Sequence, residues 1–112
     1  MSKVFLFEKT GLNLEIQGEK FIIEAEDLVK ASEVLKEFEA NKVDDVNTTE
    51  GLETVKKDAI KMINIILGEG ATDKIFATIP ANFERLIQLA GFLKEEIDNY
   101  RIESLETLIS KW

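Results

Sequence analysis

The side chains that carry most enzyme chemistry are absent from this chain. Its 112 residues contain no histidine and no cysteine. This composition excludes Ser-His-Asp triads, Cys-His pairs, disulfides and zinc sites built on thiolates, and it leaves carboxylates, lysines and Tyr100 for acid–base work. With 22 acidic residues, pairs such as Glu95-Glu96 and Asp44-Asp45 arise by chance and are typical of solvated surface and linker. We therefore predict no catalytic residue, no metal site, no cofactor and no enzyme activity.

A calcium loop is the best metal-binding pattern that the chain offers. Asp45, Asn47 and Thr49 alternate as oxygen-bearing side chains. Counting from Asp45, however, Glu50 stands where such a loop needs glycine, and Lys56 stands where it needs a bidentate glutamate. These residues instead predict a linker followed by a helix cap.

The segment Gly68-Glu69-Gly70 has partial similarity to a phosphate-binding loop, with Lys74 a few residues later. It follows a predicted helix instead of a strand, lacks the Gly-Lys-Ser/Thr ending, and places a carboxylate where a phosphate would be repelled. A left-handed helix cap at Gly68, followed by a turn and a short helix capped by Thr72, explains the same residues without a ligand.

The run from Ile65 to Phe76, IILGEGATDKIF, resembles a stretch of small acidic tail-region proteins from phages and prophages of Gram-positive bacteria. The similarity covers this run closely and the overall layout loosely. It implies a few N-terminal strands, a helical body, and the role of a tail assembly chaperone or tail-morphogenesis factor in the cytoplasm of the bacterial host. The implied partner is a tape measure or tail tube protein, and the resemblance supplies no catalytic residue.

The N-terminal part, residues 1–26, is rich in β-branched and aromatic residues. Val4–Phe7, Leu12–Ile16 and Phe21–Ala25 are short apolar segments separated by turn residues, which predicts a three-stranded antiparallel meander. In the middle segment apolar and polar residues alternate, so one face of the strand should be buried and the other exposed.

Residues 27–100 predict a helical body. A first helix should follow Asp27 and end near Asn41, and a second should span Thr48 to Leu67, with Asn47 and Glu50 at capping-box spacing. The predicted core positions are Leu28, Ala31, Leu35 and Phe38 in the first helix, and Leu52, Val55, Ala59, Met62, Ile63 and Ile66 in the second.

After the Gly-Glu-Gly segment, a short helix should carry Ile75, Phe76 and Ile79 and end at Pro80. A third long helix then carries Phe83, Leu86, Ile87, Ala90, Leu93, Ile97 and Tyr100 on one face. Together these elements predict a single mostly helical α+β domain over residues 1–112, in which the meander packs on about three main helices plus a short connecting helix.

The net charge of −8 gives the chain a mean field that repels polyphosphates and anionic lipids, so we expect no nucleic-acid partner. The chain also lacks an apolar run long enough to span a bilayer, so we expect no membrane partner and a cytoplasmic location. A mimic of nucleic-acid charge is disfavoured because lysines such as Lys56, Lys57 and Lys61 interrupt the acidic positions.

The last segment, residues 101–112, is amphipathic and has two interpretations. It either continues the third helix and completes the core, or it forms a partner-binding helix in which Trp112 is an anchor. The candidate partner-binding residues are Ile102, Leu105, Ile109 and Trp112. Two functions follow: a non-catalytic protein-binding domain acting in tail assembly, or a structural subunit that forms a homo-oligomer in a phage-like assembly.

The predicted phase of the second helix is testable at Ile63. Ile63→Asp should abolish cooperative urea unfolding measured by circular dichroism, because a buried unpaired carboxylate costs several kcal/mol, about the whole stability of a small domain. A stable, cooperatively unfolding variant would mean that the helix phase is wrong.

Overall fold

The structure, a computed structural model, describes residues 2–6, 11–41 and 46–110, and for residues 101–108 it describes the backbone alone. Most of the described chain is helical, and the remainder includes a small antiparallel sheet, which confirms a mostly helical α+β fold. The elements are β1 Leu12–Ile16, β2 Glu19–Ile23, α1 Asp27–Asn41, α2 Thr49–Leu67, α3 Ala71–Ile75 and α4 Phe83–Ser110.

The sheet is a hairpin of β1 and β2, paired from Leu12 with Ile23 to Ile16 with Glu19. Gln17 and Gly18 form its two-residue turn with φ of 52° and 79°, the pair of positive angles that matches the twist of the strands. The expected alternation in β1 is confirmed, since Leu12 and Leu14 are buried and the polar residues between and after them are exposed.

The predicted three-stranded meander is wrong, because only its second and third strands form. Within residues 2–6 there is no strand, and Val4, Phe5 and Leu6 are exposed; Phe7 lies outside the described residues. The physical reason is that β-forming residues favour a pleated, half-buried surface but do not themselves provide a partner strand.

The three long helices pack on one another, and the hairpin lies against α2 through β2. The side chains without exposed surface are Leu28 of α1, Ala59 and Ile63 of α2, and Leu86, Leu93 and Ile97 of α4. Hairpin and helices share one core cluster. The predicted apolar stripes are therefore confirmed at their central positions, whereas Leu52, Phe83, Ile87 and Tyr100 are only half-buried.

The observed and predicted ends differ for α1, α2 and α3. α1 begins at Asp27, the residue predicted to precede it. The cap of α2 is Thr48 and not Asn47: the Thr48 hydroxyl accepts the Gly51 N–H at 3.0 Å. Asparagine and threonine are both favoured at the N-cap of a helix, so the sequence places the cap of α2 only to within one residue.

α3 ends at Ile75, before the predicted stop at Pro80. A proline restricts the backbone of the residue before it, here Ile79, and does not determine how much earlier a helix ends. α4 runs through Tyr100 to Ser110, so the last segment continues the third helix, as one of its two interpretations predicted. Its start is capped by Asn82, whose side-chain oxygen accepts the Arg85 N–H at 2.9 Å.

One hydrogen bond joins the start of the hairpin to α4. The Gly11 N–H donates to the Tyr100 hydroxyl oxygen at 3.1 Å. Gly11 has a φ of 98°, and a Cβ there would lie 2.9 Å from the carbonyl oxygen of Ile23. A side chain at this position would therefore strain the backbone and would also clash with the backbone of β2.

Gly11→Ala should lower the free energy of unfolding by about 2 to 3 kcal/mol, because the substitution adds a clash with backbone to an unfavourable φ. Gly18→Ala is the matched control: its φ is 79°, but a Cβ would have no neighbour within 4 Å, so we expect a loss of about 1 kcal/mol. Urea unfolding followed by circular dichroism measures both. Equal losses would contradict the close approach of Gly11 to β2.

Candidate functional site

The ionisable groups do not converge on a centre in the part of the chain that the structure describes. No group of three or more Asp or Glu side chains there is arranged to hold a metal ion. Asp44 and Asp45 lie outside the described residues, so the calcium-loop pattern is not placed. The Tyr100 hydroxyl accepts the hydrogen bond from Gly11 and so has a structural role.

The Lys94 ammonium donates to a carboxylate oxygen of Glu39 at 2.6 Å, across the contact between α4 and α1. This hydrogen bond and the charge of Glu39 raise the pKa of Lys94 above its ordinary value. Both side chains are solvent-exposed, and an exposed ion pair of this kind contributes little to stability. It orients two helices and does not form a reactive site.

The Gly-Glu-Gly segment reverses the chain after α2. The Gly68 N–H donates to the carbonyl oxygen of Asn64 at 3.0 Å, and Gly68 has φ 113° and ψ 157°. These angles are not those of the predicted left-handed cap; they belong to an extended region that is essentially restricted to glycine. The left-handed residue is Gly70, with φ 79° and ψ 3°.

Asn64 holds this reversal from inside α2. Its side-chain oxygen accepts the Thr72 N–H at 2.9 Å and the Thr72 hydroxyl at 2.6 Å. Thr72 is therefore not the predicted cap of the short helix. It lies within α3 and is buried, and Gly70 occupies the cap position without a side-chain hydrogen bond.

This geometry argues against a phosphate site at the same turn. The Asn64 oxygen already satisfies an amide at the start of α3, and Glu69 and Lys74 are both exposed. The glycines have the structural role that the cap-and-turn interpretation predicted, although with different backbone angles. Sequence reasoning missed Asn64; its position one helical turn before Gly68 was the available signal.

The candidate partner-binding residues of the last segment are placed only in part. Trp112 lies outside the described residues, as do the side chains of Ile102 and Leu105. Ile109 is on the continuous helix α4 and is 75% exposed. It follows the buried Ile97 by twelve residues, which turns it about 120° away from the core-facing side of the helix. Ile109 therefore does not contribute to the core, and partner binding by this segment stays a prediction.

A different apolar surface lies on the other side of the core. Ile22 of β2 is 61% exposed and Ile65 of α2 is 46% exposed, and both line a concavity of about 310 Å³ between β2, α1 and α2. Ile65 also lines two adjoining depressions along α2, together with Val34 and Ile60. Ile65 comes two residues after the buried Ile63, about 200° around the helix, so it cannot share the core-facing side.

Charged side chains of both signs border these apolar side chains. The lining of the three depressions includes four exposed carboxylates, Asp27, Glu37, Asp58 and Glu69, and three exposed lysines, Lys30, Lys57 and Lys61. Within the described ranges none of the three takes part in an ion pair; the pairs found there are Lys56 with Glu53 and Lys94 with Glu39. We call this surface the Ile65 face, and it consists of Ile22, Val34, Ile60, Ile65, Lys30, Lys57 and Lys61.

A second cleft, also of about 310 Å³, lies between the end of β1, α3 and the first half of α4. Its apolar lining consists of Ile16, Ile75, Phe76, Ile79, Leu89 and Phe92. Arg85 stands at its rim, where its guanidinium donates to the Pro80 carbonyl oxygen at 3.1 Å and so secures the connection between α3 and α4.

No helix within the described ranges has the length and apolar character needed to cross a bilayer. Comparison of the chain with protein-family models, with curated proteins and with solved structures finds no match. The resemblance of residues 65–76 to phage tail-region proteins therefore stays a prediction.

The hydrogen bonds of Asn64 are testable by paired substitutions. Asn64→Ala should lower the free energy of unfolding by about 2 kcal/mol, because the N–H and hydroxyl of buried Thr72 lose their acceptor. Asn64→Asp retains an acceptor oxygen, so it should lower the free energy of unfolding by less than half of the loss in Asn64→Ala. Urea unfolding gives the free energies, and amide hydrogen exchange at Thr72 should quicken in the alanine variant. An alanine variant as stable as the parent chain would contradict the role of Asn64.

Proposed function

We propose that this chain is a non-catalytic protein-binding domain and that the Ile65 face is its binding surface. The observation that carries the proposal is the exposure of Ile22 and Ile65 on a shared concavity. Contiguous exposed apolar surface bordered by polar residues is typical of protein-interaction sites. The absence of histidine and cysteine supports a role without catalysis.

The chemistry of the Ile65 face defines the kind of partner. Three adjoining depressions on one side of α2 suit the spaced apolar anchors of an amphipathic helix. Lys30, Lys57 and Lys61 would pair with carboxylates of the partner, and the four carboxylates of the same lining would pair with its basic side chains. The proposed ligand is therefore a protein helix with apolar anchors and flanking residues of both charges.

A role in phage or prophage tail assembly follows from the resemblance of residues 65–76. In that role the domain is a tail assembly chaperone in the cytoplasm of the bacterial host, and it holds an apolar segment of a tape measure or tail tube protein until assembly. The net charge of −8 supports such a role, because it keeps a complex with an apolar partner from aggregating. A structural subunit that forms a homo-oligomer is the second candidate, and the outer edge of β1, with which no strand of the described residues pairs, favours it.

The binding surface is testable with substitutions at matched exposed residues. We expect a pull-down from host lysate to capture a tail protein, whose binding segment is then made as a peptide and titrated by fluorescence anisotropy. Ile65→Ser should weaken binding by about tenfold or more, because it removes a central apolar anchor. Lys57→Gln with Lys61→Gln should weaken binding less than Ile65→Ser does, because exposed charges at the border of such a surface contribute little to affinity.

Val29→Ser is the matched control, since Val29 is 42% exposed on α1 but lines none of the three depressions. The Val29→Ser variant should bind the peptide with the same affinity as the parent chain. Ile109→Ser tests the last segment in the same assay. Equal binding by the Ile65 and Val29 variants would contradict the proposed surface, and selective loss in the Ile109 variant would place the site on the end of α4.

A further inference from the structure

The depressions of the Ile65 face carry almost none of the net charge of the chain. Four carboxylates and three lysines line them, which leaves a net charge of −1, whereas the whole chain has −8. Because like net charges repel, two copies of an acidic chain approach most easily through a surface on which the charges are nearly balanced. The Ile65 face is such a surface, and it also offers exposed apolar side chains for burial.

The residues of one row on this surface follow a definite order of charge. Lys57, Lys61, Ile65 and Glu69 recur at every fourth position and line the same depression, so they lie along one side of α2 and of the turn after it. The row is basic at one end, apolar at Ile65 and acidic at the other end. In the part of the chain that the structure describes, none of its three charged side chains takes part in an ion pair.

This order is complementary to itself in one orientation. If two copies of the row lie antiparallel with Ile65 against Ile65, Lys61 of each copy lies opposite Glu69 of the other, because both residues are four positions from Ile65. In a parallel arrangement identical residues would meet, and lysine would oppose lysine. The antiparallel arrangement has two-fold symmetry, so each contact between a lysine and a glutamate in it forms twice.

The shape of the surface suits the same arrangement. Ile65 lines the depression along α2 and also the two depressions that α2 shares with α1 and β2. An exposed side chain with a depression on either side packs well against a copy of itself, because each ridge can enter the groove of the other. The side chain of Ile65 can thereby reach Ile60 or Val34 of the second copy.

We propose that the Ile65 face pairs with the Ile65 face of a second copy, in a two-fold dimer in which the two α2 helices lie antiparallel about Ile65. This dimer rests on the proposed function, since it takes the Ile65 face as the binding surface and specifies the partner. The α2 helix of a second copy fits the ligand that the surface requires, because it carries an exposed apolar anchor with flanking residues of both charges.

Sedimentation of the full chain tests the dimer first. The expected mass is about 25 kDa, twice the 12.7 kDa of one copy. Ile65→Glu should raise the dissociation constant by about 100-fold, because two carboxylates would meet at the two-fold axis. Thermal unfolding of this variant should remain cooperative, since Ile65 is exposed in the single copy. Ile109→Glu is the control, because Ile109 is exposed on the end of α4 and its substitution should leave the dimer intact.

An exchange of charges tests the antiparallel arrangement. Lys61→Glu and Glu69→Lys should each raise the dissociation constant of its own dimer by about tenfold, because like charges then lie opposite each other twice. A mixture of the two variants should form a mixed dimer about as tight as the parent dimer, because every contact again joins opposite charges. Native mass spectrometry with one variant isotopically labelled measures the mixed dimer.

The control for net charge is Lys20→Glu, since Lys20 is exposed and lines none of the three depressions. Mixed with Glu69→Lys, it should recover only part of the parent affinity, because one pair of lysines still meets. A mixture of Lys61→Glu and Glu69→Lys that binds no more tightly than this control mixture would overturn the proposal.

Cross-linking tests the position of the two-fold axis. The parent chain has no cysteine, so an introduced thiol is the only one in each copy. Ile65→Cys should form a covalent dimer under mild oxidation, because the axis brings position 65 of the two copies together. Val29→Cys should cross-link poorly, since Val29 is exposed but lines none of the three depressions. A dimer that survives Ile65→Glu, or equal cross-linking of the two cysteine variants, would overturn the proposal.

The tail peptide distinguishes failure of the dimer from failure of the proposed function. If the parent chain sediments as a monomer and Ile65→Ser still weakens peptide binding, the dimer alone is overturned and the Ile65 face serves another protein. If Ile65→Ser changes neither the mass nor the affinity for the peptide, both the dimer and the proposed binding surface are overturned.

Discussion

The packing of α4 against α1 and α2 depends on the reversal that follows α2. Only a few residues separate Leu67 from the start of α3, and the side chain of Asn64 spans them by accepting two hydrogen bonds from Thr72. The N–H and hydroxyl of buried Thr72 thereby have a hydrogen-bond acceptor within the chain. With the chain redirected there, α4 can return along the bundle and place Leu86, Leu93 and Ile97 in the core.

The same reversal explains why the most distinctive run of the sequence is not a chemical site. Gly68 and Gly70 adopt backbone angles that favour glycine, and Ala71 and Ile75 are buried in the core. The run from Ile65 to Phe76 is thus constrained mainly by folding. Among the apolar side chains of this run, Ile65 is the exposed one, and it contributes to the Ile65 face instead of the core.

The sequence predicted the features that depend on local periodicity. The buried faces of α1 and α2, the burial pattern of β1 and the caps near Thr48 follow from spacing that a single segment contains. The features it missed depend on contacts between elements. The strand propensity of Val4, Phe5 and Leu6 does not specify a partner strand, and the role of Asn64 becomes clear only when the turn at Gly68 brings Thr72 back to the end of α2.

The Ile65 face could not be predicted for a similar reason. Ile65 lies outside the apolar stripe of α2, and Ile22 lies on the solvent side of β2. In the sequence, each is therefore indistinguishable from a single exposed apolar residue of the kind that is common on protein surfaces. Only the packing of β2 on α2 brings the two side chains to one concavity. In contrast, the amphipathic pattern after Tyr100 was visible in the sequence, but amphipathicity alone does not distinguish a core-facing stripe from a partner-binding one.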